Sequence, residues 1–179
     1  DGKILLAGQC NNDQIPQFCI KRLYDNGSLD TTFNGSGTVR TSISGNFNTS
    51  TSDIAYGMAL QPDGKIVLAG SCGISSNFRF CVVRLSPDGT FDTTFGGPTG
   101  NGKIILPTIV GDSTLSAIAL QSDGKIVLAG KCYSGGNFNF CVARLNPDGT
   151  VDSSFIGPTG VGNGIFELMM VIGVDQATG

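Results

Sequence analysis

The hydrophobic pattern of this chain is short-ranged. Apolar residues fall in runs of about four to eight, closed by Gly, Asp or Asn, and no stretch sustains a helical period. In the central part the first run is Ile54 to Gln61, where Met58 and Leu60 alternate with small residues, and Ala117 to Gln121 repeats it. Pro62-Asp63-Gly64 then makes a hairpin turn. The second run is Lys65 to Cys72, and its unbroken Ile66-Val67-Leu68-Ala69 predicts a strand buried on both faces. A third, Phe78 to Leu85, ends at the turn Ser86-Pro87-Asp88-Gly89. A fourth, Lys103 to Val110, follows Gly96 to Gly102. The pattern predicts an all-β chain of four-stranded units.

The units are tandem. Asp1-Gly2-Lys3-Ile4-Leu5-Leu6-Ala7-Gly8 recurs at Asp63 to Gly70 and at Asp123 to Gly130, 62 and then 60 residues further on. Phe33, Phe95 and Phe155 keep the same offsets. The two-residue difference falls in the Ser/Thr/Asn-rich stretch Gly45 to Ser52, where a surface loop absorbs it. The units run approximately over 1–53, 54–114 and 115–179.

Each unit carries one cysteine pair with eight residues between: Cys10 and Cys19, Cys72 and Cys81, Cys132 and Cys141. A hairpin over Gly73 to Phe80 sets Cys72 and Cys81 opposite each other, close enough to bond. Zinc asks for tighter clusters, and a redox thiol is not expected three times over. Three local disulfides are therefore expected in place of buried free thiols, and with them an oxidising, extracellular or cell-surface location.

One compound motif spans each unit: D-G-K-I-[VL]-L-A-G, an aromatic-rich strand ending in Arg-Leu, then P-D-G-[ST]-x-D-[TS]-[TS]-F. It stands at Asp63 to Gly70, Arg84-Leu85 and Pro87 to Phe95, and at Asp123 to Gly130, Arg144-Leu145 and Pro147 to Phe155. In the first unit Asp25-Asn26-Gly27 replaces Pro-Asp-Gly, an equally good turn. The motif resembles the delta-60 repeat of bacterial proteins, over nearly the whole chain except roughly the last dozen residues. The resemblance implies β-propeller blades in a secreted or surface-attached protein. The cysteine pairs are not part of that family pattern.

Four strands per unit agree with a propeller blade. Propellers take about four to eight blades, whereas this chain has three, the first lacking its opening strand. Three arrangements stay open: a stretch of a larger propeller, a symmetric multimer such as two chains giving six blades, and a head-to-tail stack. The chain opens at Asp1 with neither Met nor a signal peptide, as expected of a processed chain or part of a longer one.

Composition narrows the function. Net charge is −3, a poor match for a nucleic-acid partner. There is no His, the commonest general base, and no Trp for a sugar-stacking platform. Apolar runs such as Leu168 to Ile172 fall far short of the ~20 residues that span a bilayer, so no transmembrane segment is expected. Without His a Ser-based triad is missing, and no G-x-S-x-G or S-x-x-K occurs. No enzyme active site is expected.

The recurring acidic turn is the one chemistry-like constellation. Asp88 and Asp92, Asp148 and Asp152, and the weaker Asn26 and Asp30 place oxygen ligands four apart, which makes Asp88, Asp92, Asp148, Asp152 and Asp30 candidate calcium ligands. The plainer reading is structural: Asp88 makes the turn, and Asp92 pairs with Arg84 or caps backbone amides. Arg22/Asp30, Arg84/Asp92 and Arg144/Asp152 all lie eight apart, suited to one ion pair per unit. No other cofactor is expected. Phe47, Phe78, Phe80, Phe138 and Phe140 line either a binding surface or the core.

These features point to a non-catalytic extracellular repeat scaffold for adhesion or protein–protein interaction. The alternative is a self-assembling structural protein built from identical chains, and the partner is accordingly another protein or a second copy. The loop Gly45 to Ser52 is the candidate variable rim, and the apolar stretch Ile165 to Val174 a candidate end surface. The intact mass of the unreduced chain should lie six hydrogens below that of the reduced chain; equal masses would rule the three disulfides out.

Overall fold

The computed structural model describes residues 2–12, 15–43, 45, 51–74, 77–97, 100–106, 112–134, 136–157 and 163–168. Among the described residues, eleven strands form three antiparallel sheets. The first holds β1 (Ile4–Asn12), β2 (Ile15–Leu23) and β3 (Thr38–Thr41). The second holds β4 (Thr51–Leu60), β5 (Ile66–Ile74), β6 (Asn77–Leu85) and β7 (Lys103–Ile105). The third holds β8 (Thr114–Leu120), β9 (Ile126–Ser134), β10 (Asn137–Leu145) and β11 (Ile165–Leu168). Every strand pairs with its neighbour in sequence, so each sheet is a meander. One helical turn, Phe33–Gly35, interrupts the pattern, and no helix among the described residues is long and apolar enough to cross a membrane.

The all-β reading holds, with two differences in detail. The strand expected over Lys103 to Val110 is described as a strand over Lys103–Ile105, and 107–111 lie outside the described residues. The opening strands β4 and β8 are each broken by a register shift, between Ala55 and Gly57 and between Leu115 and Ala117. An extra residue there bends the strand and resets which side chains face the core, which a strict period of two does not reveal. The rim loop expected between Gly45 and Ser52 lies largely outside the described residues, as does the chain beyond Leu168.

All three disulfides are present, with Cα–Cα distances of 5.4, 5.9 and 5.8 Å. Their partners are not directly opposite, as the hairpin had suggested. Cys81 faces Gly70 and Cys72 faces Arg79; Cys19 faces Gly8, and Cys141 faces Gly130. Each hairpin closes through a two-residue connection, with Asn12 opposite Ile15, Ile74 opposite Asn77 and Ser134 opposite Asn137. That register offsets the cysteines by two residues, and the bond crosses the ribbon diagonally, where strand twist draws side chains together.

The three sheets stack face to face, and alternate residues of each strand point to opposite neighbours. One core joins the first sheet to the second: Phe18 and Ile20 pack on Ile66, Leu68, Cys72, Cys81 and Val83. The other joins the second to the third: Val67, Ala69, Phe80 and Val82 pack on Ile126, Leu128, Cys132, Cys141 and Ala143. The disulfides of the second and third sheets are therefore wedges between sheets as well as staples within a hairpin. The Ile66 to Ala69 run is buried throughout because its sheet packs on a neighbour at both faces. At the two outer faces the equivalent residues are open. Ile4 and Leu6 are 43% and 52% exposed, and Phe140 is 55% exposed where Phe80 is 0%.

Position in the stack thus sets the energetic weight of equivalent residues. Phe80→Ala is expected to lose about 3–5 kcal/mol of stability by opening a cavity, and Phe140→Ala less than about 0.5 kcal/mol. Equilibrium denaturation of the two variants checks this; equal losses would contradict the stacking order.

Candidate functional site

The repeated acidic turns lie at the junctions between units, and one cluster is built three times. Asp92 follows the short bridge between Leu85 and Phe91, and its amide donates to the Arg84 carbonyl at 3.0 Å. This tight return places its carboxylate beside the Arg84 side chain. Oδ2 accepts from Arg84 Nε at 2.8 Å and lies 3.2 Å from Lys65 Nζ. Oδ1 accepts from the amide and hydroxyl of Thr94 at 3.0 and 2.6 Å. The guanidinium of Arg84 stacks on the Phe95 ring, 4.4 Å from its centroid.

The first unit repeats this with Arg22 Nε and Lys3 Nζ on Asp30 at 2.7 and 3.1 Å, Thr32 on the other oxygen, and Phe33 under the guanidinium. In the third, Arg144 and Lys125 meet Asp152 at 2.7 and 3.1 Å, with Ser154 and Phe155 in the remaining places. The three carboxylates are buried. Hydrogen bonds from Thr32 and Ser154 lead in holding Asp30 and Asp152 well below the usual carboxylate range. For Asp92, burial pushes upward, but Thr94, Lys65 and Arg84 outweigh it and bring the value down to about 2. Each carboxylate is therefore anionic throughout the physiological range.

The arginine also reaches into the next unit. Arg22 Nη1 donates to the Pro87 carbonyl at 2.6 Å, and Arg84 Nη1 donates to the Pro147 carbonyl. One residue on, the Asn34 amide donates to the Asp88 carbonyl at 2.7 Å and the Gly96 amide to the Asp148 carbonyl at 2.9 Å. Both donors sit at positive φ, +50° and +110°, which aims the amide out of its own turn. The glycines of the gripped turns are required twice over. Gly89 and Gly149 have φ near +90°, and a Cβ on either would come within 3 Å of the Phe33 or Phe95 ring. The Arg22–Phe33 and Arg84–Phe95 pairs thus close over the Pro-Asp-Gly turn of the following unit.

Asp88 and Asp148 do not join the clusters. Each folds onto its own turn, Oδ1 accepting from the amide and hydroxyl of Thr90 or Thr150 at 2.9 and 2.7 Å, and these bonds lower its pKa. Asn26 makes the same two contacts to Ser28, at 3.0 and 2.8 Å, so the position calls for an acceptor and not for a charge. The five aspartates considered for calcium therefore divide between two structural tasks. Among the described residues, three potential ligand atoms converge at Cys132, Cys141 and Glu167, where both sulfurs belong to a disulfide. The Arg–Asp spacing was readable in the sequence, whereas the lysine was missed. Its signal was present: Lys3, Lys65 and Lys125 each precede the clustered aspartate by 27 residues.

Of the candidate aromatics, Phe80 is core, Phe78 is half-buried and Phe47 lies outside the described residues. Phe138 and Phe140 are exposed on the open face of the third sheet, where they and Ser116, Ala129, Lys131 and Val142 line a groove of about 380 Å³. Edge-on contact between Tyr133 and Phe138 at 5.2 Å and Lys131 over the Phe138 ring give this face its shape.

Antiparallel meanders stacked face to face, each gripping the next through a repeated turn, define a β-propeller repeat protein. The chain belongs to the family described as a domain of unknown function (DUF5122) beta-propeller, which matches residues 1–33, 61–95 and 121–155. The three matched segments hold the lysine, the arginine, the clustered aspartate and the phenylalanine of each unit. No curated protein and no solved structure matches the chain.

Because the clustered carboxylates have lowered pKa values, their stabilisation is complete above the unfolded value of 3.8 and disappears as pH falls through the folded values. Melting temperature should change little from about pH 8 to 5 and drop steeply from about pH 4 toward 2; a flat profile to pH 2 would contradict the cluster geometry. Millimolar calcium should leave the melting temperature unchanged, and a clear rise would show that the aspartates bind it.

Proposed function

We propose that the chain is a non-catalytic extracellular repeat scaffold that presents sheet faces for protein–protein contact. The observation that carries the reading is the threefold Arg–Asp–Lys cluster. A general acid or base works best with a pKa near the operating pH, and these carboxylates lie far below it, each fully engaged in joining strands and units. What distinguishes the units from one another is their outward surface, above all the aromatic groove of the third sheet. Calcium has no part in this reading.

The three disulfides favour a secreted or cell-surface location, since such bonds persist in oxidising compartments. We read the repeats as delta-60 repeats of a bacterial protein, on the 60- to 62-residue spacing and the compound motif. The partner is another protein or a second copy of the chain.

Fractionation of producing cells with rapid thiol trapping tests the location. The chain is expected outside the cytoplasm with all six cysteines protected from alkylation. Recovery in the cytoplasm with free thiols would overturn the reading.

A further inference from the structure

The junction between successive units is made twice within the chain from equivalent residues, and among the described residues a third donor group on the third unit and a third turn on the first unit meet no partner. The donor half is complete on the third unit. Arg144 is held on Asp152 and stacked on Phe155 as Arg22 and Arg84 are on their partners. Among the described residues, however, no carbonyl takes its terminal nitrogens, whereas Arg22 and Arg84 donate to Pro87 and Pro147. Phe155 is half-buried where Phe33 and Phe95 are fully buried.

The first unit carries the turn of the acceptor half, while its described sheet has no counterpart of β4 or β8, the strands that bring Ala55 and Leu115 into the two established junctions. The turn Asp25-Asn26-Gly27 has the bonding of the Pro-Asp-Gly turns, with the Gly27 amide on the Tyr24 carbonyl at 3.0 Å and φ +82° at Gly27. A Cβ at Gly27 would meet nothing within 4 Å, whereas at Gly89 and Gly149 it would strike a phenylalanine ring of the preceding unit. The apolar faces behind the two halves correspond as well. Ile4 and Leu6 stand where Ile66 and Leu68 pack on the first sheet, and Phe140 and Val142 stand where Phe80 and Val82 pack on the third.

We propose that a second copy of this chain docks head to tail on the first. Its Asp25-Asn26-Gly27 turn seats under Arg144 and Phe155, and its Ile4/Leu6 face lies on the Phe138/Phe140 groove. The contact continues the established junctions through the same turn and the same two paired strands, β1 and β2 lying on β9 and β10, and the Asp25 carboxylate adds charge complementarity to Arg144. The proposal rests on the scaffold reading and names its partner. One residue limits the affinity: Lys21 is exposed on the docking face where its counterparts are Val83 and Ala143. Its ammonium has to be desolvated or displaced when the faces close.

The test is sedentation velocity of the purified, unreduced chain across concentration, with three variants that leave the present packing intact. Gly27→Asn tolerates the positive φ but places a side chain where Phe155 must lie. Phe140→Asp charges an exposed position, and Lys21→Val restores the apolar face. The wild type should associate reversibly. Gly27→Asn and Phe140→Asp should each weaken association about tenfold or more, and Lys21→Val should tighten it about tenfold. Wild type and Lys21→Val that both stay monomeric at about 100 μM, roughly 10⁻⁴ M, would overturn the docking and point to a partner of different sequence. Association indifferent to Gly27→Asn and Phe140→Asp would overturn it equally. Neither result alters the cellular location or thiol state, which bear on the scaffold reading separately.

Discussion

The structure turns on a guanidinium that serves two units at once. Arg84 pairs with Asp92, lies over the Phe95 ring and donates to the backbone of the next unit at Pro147. Removing such a charge from water is costly unless every donor is met, and a planar fork meets carboxylate, ring and carbonyl together where an ammonium cannot. Most of the unit's fixed residues follow from this. Asp92 supplies the counter-charge, Thr94 satisfies its second oxygen, Lys65 balances the remaining charge, and Gly149 clears the space in which Phe95 covers the next turn.

The same arrangement couples order within a sheet to order between sheets. The lysine comes from the turn just before the second strand of a unit, the arginine from the end of the third and the aspartate from the turn beyond it. Closing the cluster therefore ties a hairpin to its connection. The terminal guanidinium nitrogens then set the stacking distance to the neighbour, and the apolar face fills in around them. Cys72–Cys81 and Cys132–Cys141 add sulfur to those faces, so the covalent staple of each hairpin also forms part of the intersheet core. Burial consequently rises and falls with position in the stack, although the motif is the same in all three units.

The sequence was most legible where residues repeat. The strand runs, the Asp-Gly turns, the cysteine pairing and the eight-residue Arg–Asp spacing all follow from local pattern and offset. Features that depend on three dimensions were less visible. The register shifts near Tyr56 and Ser116 break a two-residue alternation that the small side chains around them leave faint. The diagonal geometry of the disulfides needs the two-residue hairpin connection, which eight intervening residues do not specify. Lys65 was hidden because it is 27 residues from Asp92, and a lysine in a turn reads by default as a solvated charge. Phe80 and Phe140 are indistinguishable in local sequence, and their different burial is a fact about neighbours.

The central claim is that the arginine fork, and not its charge alone, joins successive units. Equilibrium unfolding of Arg84→Lys tests it directly, because lysine keeps the charge opposite Asp92 but loses the stacked fork and the reach to Pro147. The account predicts a loss of about 2–4 kcal/mol, from a broken buried network with charge retained. A loss below about 0.5 kcal/mol, the range of an ordinary surface substitution, would contradict it.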